Sequence, residues 1–308
     1  MLTLTGVTKR FGALVAVDNL TLTVPAGCIL GFVGPNGAGK TTTLRMAATL
    51  LEPDAGVITI DGYDIRSHRR EARRALGFMP DVIGIYDDLK VWEYLDFFAA
   101  AYRVPKADRP RLIDEVLALT DLGIKRDAFV DSLSRGMKQR LCLAKTLIHD
   151  PKLLLLDEPA SGLDPRARIE LRELPKELQR MGKTIVISSH ILTELAELCD
   201  HIAIVEKGKL ITSGNLDTIM RQVAPRPKVV IEVEGGVEML QKFLATVETV
   251  TVCDSEGDCV TVEFVNPDHD TATLLPLIIG AGLKVRQFSR LEANVENVFM
   301  QLTKGEVS

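Results

Sequence analysis

The chain has 308 residues, room for two domains, and its 46% hydrophobic and 26% charged residues suit a globular protein that buries a sizeable core. A net charge of −5 argues against a protein that lives on nucleic-acid backbone, where neutralising phosphates usually demands a basic surplus. Five cysteines with no CxxC pair argue against a disulfide framework or a zinc site, no run of about 18 apolar residues is present to span a membrane, and the start, MLTLTGVTKRFG, lacks a signal pattern.

In chain order, residues 1 to about 220 alternate apolar runs with amphipathic stretches, which predicts an α/β sheet. CILGFV, LLLL and TIVISS have the continuous apolar character of buried parallel strands, and helices are expected from about Lys40 and over Ile191–Leu198. Between the first of these strands and the first helix lies GPNGAGKTT. Gly34, Pro35, Asn36, Gly37, Ala38, Gly39, Lys40 and Thr41 fit G-x-x-x-x-G-K-[ST] in the strand-to-helix setting that a phosphate loop requires. Its glycines let backbone N–H groups converge on phosphates at a helix N-terminus. Lys40 would reach the β and γ phosphates, the Thr41 hydroxyl would ligate Mg²⁺, and Thr42 would add a phosphate hydrogen bond.

Arg66, Arg69, Arg70, Arg73 and Arg74 recur at spacings that put them on one helix face. Such a stripe serves either as a solvated face or as a contact for acidic lipid headgroups or an acidic partner. In WEYLDFFAAAY, the residues Trp92, Leu95, Phe98 and Tyr102 also share a face, expected to be the core of a helical subdomain, with a docking groove beside Tyr86 as the alternative. LLLLDEP ends a buried strand on two carboxylates, and in open α/β sheets ligands sit beyond such strand ends. Asp157 would there hold Mg²⁺ and Glu158 would polarise the attacking water; adjacent acids before Pro159 also suit a helix start. TIVISSH sets His190 at the end of another strand on the same sheet edge, in reach of a γ-phosphate.

Near residue 224, APRPK reads as a linker. After it come a strand (KVVIEVEG), a helix (VEMLQKFLATV), a hairpin around Gly257 in which Cys253 and Cys259 could face each other, a helix started late by Pro276, a strand (LKVRQFSRL) and a last helix (VENVFMQLTKG). The order βαββαβ matches a ferredoxin-like split unit. The expected division is a nucleotide-binding domain over 1–222 and a small α+β domain over 223–308.

The most discriminating stretch is DSLSRGMKQRL, 131 to 141. Here the chain resembles the ATP-binding-cassette (ABC) family, whose LSGGQ-like signature is matched by Leu133, Ser134, Arg135, Gly136 and Met137. Ser161, Gly162, Leu163 and Asp164 match the family's D-loop, and His190 its switch histidine. The resemblance covers about residues 1 to 220 with every motif in order. It implies an ABC-type P-loop domain with a helical signature subdomain, an aromatic against adenine (Phe11), and ATP hydrolysed with Mg²⁺. It also implies a homodimer or paired ATPase subunit, in which Ser134 and Gly136 of one copy cap the γ-phosphate held by the other.

Two departures stand out. Asp81, in GFMPDVIGIYDDL, occupies the place of a glutamine that ligates Mg²⁺ and contacts the membrane partner; a carboxylate still reaches a metal but donates no hydrogen bond. Arg135 and Met137 replace a glycine and a glutamine of the signature. The MPD step, SRGMKQR and the C-terminal extension together resemble ATP-binding subunits of type-two ABC exporters. That implies a cytoplasmic chain, peripheral at the membrane's inner face, driving a separate permease with no nucleic-acid partner. The alternative is a soluble ABC ATPase acting on ribosomes or nucleic acid, although such forms usually carry two cassettes or long coiled coils. A switch GTPase would need an NKxD-like motif, and none is present.

Overall fold

The computed structural model describes residues 1–291 except 83, 85, 87, 192–194, 217, 220–226 and 267–269. It separates into two compact units, Met1–Leu216 and Asp217–Lys304, a boundary slightly earlier than 222.

The first unit opens on an antiparallel sheet, whose alternating strands lack the unbroken apolar runs of the parallel ones. Its strands are β1 (Leu2–Phe11), β2 (Leu14–Val24), β4 (Ala55–Ile60) and β5 (Tyr63–Asp64), in the order β2-β1-β4-β5. In β1 the buried residues Leu2, Leu4 and Val7 face inward while the intervening threonines stay wetter, the signature of a sheet with one covered face. The second sheet has six strands in the order β10-β9-β3-β8-β7-β6. They are β3 (Ile29–Val33), β6 (Leu76–Met79), β7 (Leu153–Asp157), β8 (Thr184–Ser189), β9 (His201–Glu206) and β10 (Lys209–Asn215). All are parallel except β10, which runs antiparallel to β9. Every residue of β3, β7 and β8 is buried, which accounts for their unbroken apolar sequence. One core collects residues of both sheets (Leu4, Ile58, Phe32, Leu155) and of helix α1 (Lys40–Ala47), including Leu44 and Met46.

Helices α2 (Arg69–Ala75), α3 (Val91–Ala101), α4 (Arg109–Leu119), α5 (Arg135–Leu147) and α6 (Pro165–Arg180) also belong to this unit. The helical subdomain is formed where α3, α4 and α5 pack on one another. Its inner face on α3 is Val91, Tyr94, Leu95 and Ala99 rather than the predicted stripe: Trp92 and Phe98 are half-buried and Tyr102 is exposed. Trp92 lies under the Arg126 guanidinium instead, and Tyr102 stacks on the His149 ring. The arginine stripe is also largely spoken for. Arg66 donates to Pro53 O, Arg69 pairs with Glu52, and Arg73 donates to the hydroxyl and carbonyl of Thr49. The helix predicted over Ile191–Leu198 falls partly outside the described residues.

The second unit has β11 (Lys228–Val233), α7 (Val237–Leu244), β12 (Val250–Glu256), β13 (Cys259–Phe264), α8 (Leu274–Gly280) and β14 (Val285–Leu291), an antiparallel sheet ordered β12-β13-β11-β14. Alternation in β11 and β13 buries Val229, Ile231, Val233, Val260, Val262 and Phe264 against Leu240, Leu244 and Ile278 of the two helices. The hairpin turns at Gly257. Its register pairs Glu256 with Cys259, and a shift between Val252 and Asp254 leaves Cys253 off the ladder, so the two thiols do not face each other. Pro276 sits in the first turn of α8, where its missing N–H costs nothing. Most of APRPK, and the predicted last helix, lie outside the described residues.

Candidate nucleotide site

The site lies where the C-terminal ends of β3, β7 and β8 come level. The registers Val33 to Ser189 and Asp157 to Ser188 align those ends, so the loop after β3, the two acids after β7 and the histidine after β8 share one edge. The loop bends sharply into α1. Gly39 holds φ +96°, and a Cβ there would lie 2.4 Å from Ala16 O, so both conformation and space require glycine. The N-terminus of α1 opens directly onto the loop, a standing anion site.

Lys40 is 6% exposed and donates from Nζ to Gly34 O (2.7 Å) and Pro35 O (3.2 Å), with Glu158 Oε1 at 3.7 Å. Burial holds its pKa below the usual lysine value, and the neighbouring Glu158 and Asp157 offset only part of that. Asp157 is 1% exposed and its Oδ1 accepts from Thr41 Oγ1 (3.2 Å) and Ser188 Oγ (2.6 Å). A hydroxyl and a carboxylate oxygen brought together in this way form a donor set that fits a hard divalent cation. Glu158 takes a left-handed φ of +47°, uncommon for a residue with a side chain. Its N–H donates to Ser188 Oγ at 2.9 Å, and Oε2 lies 3.0 Å from His190 Nδ1. A carboxylate bonded to an imidazole at the mouth of a phosphate site is suited to orienting water.

A cleft of about 530 Å³, within the range of small-ligand sites, joins most of the predicted residues. Phe11, Asn36, Gly37, Ala38, Gly39, Lys40, Thr41, Thr42, Asp81, Glu158 and His190 line it. Gly34 and Pro35 back it through their carbonyls on Lys40, and Asp157 lies beneath it. Ser134 and Gly136 do not line it. They occupy the N-terminus of α5, where Ser134 Oγ accepts from Met137 N, so the helix-cap role of this serine is real. Two contributors have no signal in the sequence, and a third, Ser161, is marked there only as part of the D-loop. Leu14 and Ala16 extend the apolar wall beside Phe11, and Ser161 enters from the D-loop. Ser188, which ties Asp157 to Glu158, was also missed; only the pairing of β7 with β8 reveals it.

A phosphate loop, a buried acid facing its threonine and a second acid beside a histidine define a P-loop nucleoside triphosphatase. Residues 17–161 match the family model described as ABC transporter. Over 98% of its length the chain is 36% identical to the Nod factor export ATP-binding protein I of Burkholderia lata, covering 96% of that protein. The counterpart from Rhizobium meliloti is 34% identical over 99% of this chain and 88% of its own. A solved ATP-binding subunit of an ABC transporter superposes with TM-score 0.66 at 32% identity, over 72% of this chain and 92% of that one. A dimeric ATP-binding cassette in a post-hydrolysis state bound to ADP and Pi superposes at 0.64 and 26%, over 70% and 99%. The chain belongs to the ATP-binding subunits of ABC transporters and is an ATPase. These relatives are transporter subunits, and the ribosomal or nucleic-acid alternative gives way to them.

Proposed function

We propose that the chain works as one of a face-to-face pair, with one ATP and one Mg²⁺ in each half-site, and drives export through a separate membrane permease. The supporting observation is a separation. The cleft gathers most of the residues expected to handle adenine, phosphate and water, with Gly34, Pro35 and Asp157 directly behind it, yet Ser134 and Gly136 stand apart at the start of α5. A second copy supplying those two groups would finish the pocket, so ATP binding would close the pair and loss of the γ-phosphate would release it. Export is the direction named for the curated relatives. By analogy with relatives named as export ATP-binding proteins, we assign the translocation path to a separate permease and the chain to the cytoplasmic face; no helix among the described residues is long and apolar enough to cross a membrane.

In this scheme Phe11 stacks on the base, while the loop N–H groups and Lys40 hold the phosphates. Glu158, steadied by His190, orients the water for in-line attack and accepts its proton. Mg²⁺ held by Thr41 and Asp157, with Asp81 alongside, would neutralise developing charge on the phosphate oxygens. Glu158→Gln keeps the shape and removes the base. Turnover should fall by about 10²–10³, in line with losses seen when a positioned polar group is removed. Size-exclusion chromatography with MgATP should then show a trapped dimer. Normal turnover in this variant, or a monomer under all nucleotide conditions, refutes the scheme.

A further inference from the structure

Arg135 stands where the family signature has glycine, and the structure gives its side chain a definite place. From the first turn of α5 its Nη2 donates to Ser161 O at 3.2 Å. One turn further, on the same helix face, Gln139 Nε2 donates to the same oxygen at 3.0 Å. A carbonyl has two lone pairs, and here α5 engages both. The guanidinium also packs closely against the next residue. A Cβ built on Gly162 would sit 2.1 Å from Nη2 and 2.2 Å from Cζ, and Gly162 holds φ +68°. No other residue type fits that position while Arg135 occupies its place. Ser161 in turn donates its N–H to Glu158 O at 3.0 Å and lines the nucleotide cleft.

We propose that Arg135 is a positioning residue, a latch that binds the signature helix to the D-loop so that both move as one body and hold Glu158 in register. Its guanidinium touches neither the cleft nor the reacting atoms of its own subunit; it acts through Ser161. The glycine that the signature usually carries has no side chain to make this connection, so the latch belongs to this chain's departure from the pattern. The contact itself stands on the geometry, whereas its catalytic consequence rests on the hydrolytic role proposed above.

The test uses the full chain and two readouts. Arg135 is exposed, so Arg135→Ala should fold normally. In nucleotide-free protein, amide hydrogen exchange across 160–163 should quicken about tenfold in Arg135→Ala, the low end for a hydrogen bond to a charged group because this one is exposed, while exchange within 141–147 stays unchanged. Arg135→Lys, which keeps the charge without the planar fork, should recover only part of the protection. In steady-state ATPase assays Arg135→Ala should lower kcat about tenfold and leave the KM for ATP within about twofold. Unchanged loop exchange overturns the latch. So does a raised KM with kcat intact, which would put Arg135 on the nucleotide. If exchange quickens but the wild-type chain hydrolyses no ATP, the latch stands and the hydrolytic role falls.

Discussion

Ser188 offers the sharpest check on the site. Its hydroxyl donates to Asp157 Oδ1 at 2.6 Å and accepts the Glu158 N–H at 2.9 Å, and the residue is fully buried. Ser188→Ala deletes both bonds and changes the volume little. The bond to a buried carboxylate is of the charged class, about 1.5–3 kcal/mol, and the orphaned Glu158 N–H adds about 1 kcal/mol or more. The sum, about 3 kcal/mol, should lower the melting point of the first unit by about 6–12 °C, taking 2–4 °C per kcal/mol for a unit of this size. Nucleotide-free calorimetry measures it. Activity should fall further than stability explains, because Glu158 holds its left-handed backbone with one fewer tether. With the protein fully folded at the assay temperature, kcat should drop about tenfold or more. A variant that melts within about 1 °C of wild type with unchanged kcat would show that this hydroxyl does not organise the acids, and the geometric account of the site would fail.

Three further outcomes follow from other parts of the molecule. Phe11→Ala should raise the KM for ATP about tenfold, the worth of one base stacked on an aromatic ring, with Phe11→Trp near wild type; equal KM values would remove Phe11 from the adenine site. Asp81→Ala should increase the Mg²⁺ needed for half-maximal ATPase, and an unchanged metal requirement would dismiss Asp81 as a metal-side group. His149 is half-buried, bonds Leu76 O through Nε2 and stacks on Tyr102, and desolvation of the ring lowers its pKa below 6.5. The unfolded chain therefore binds the proton first as pH falls, so the first unit should lose stability below about pH 6.5 by up to about 1.4 kcal/mol per pH unit. His149→Gln should flatten that slope in urea titrations at pH 5 to 7; an identical slope would mean the ring titrates freely.

Features confined to a few consecutive residues were legible without coordinates. The run from Gly34 to Thr42 carries its own backbone demands, and β3, β7 and β8 announce their burial by unbroken apolar sequence. The acids after β7 and the histidine after β8 were assigned because a parallel sheet puts strand ends on one edge. Helix faces were read less well. The spacing of Trp92, Leu95, Phe98 and Tyr102 was correct for a helix, but spacing cannot say which of two apolar stripes turns inward; packing against α4 and α5 chose Val91, Tyr94, Leu95 and Ala99. The arginine stripe looks solvated from its spacing, yet Glu52 and Thr49, in the loop after α1, engage Arg69 and Arg73 of α2, and Pro53 of the same loop engages Arg66, which lies before the helix starts.

By itself the amino-acid order determined the phosphate loop, the acidic strand end and the signature stretch, because each is a local backbone conformation dictated by its own residue types. Only the tertiary structure decided that Ser188 ties Asp157 to Glu158, that Leu14 and Ala16 join Phe11, and that Arg135 reaches Ser161. The hydroxyl of Thr41 meets Asp157 across 116 residues of chain, and Ser188 meets it across 31. Such encounters depend on which strand lies beside which, and strand order is a property of the whole packed sheet that no short stretch of sequence contains.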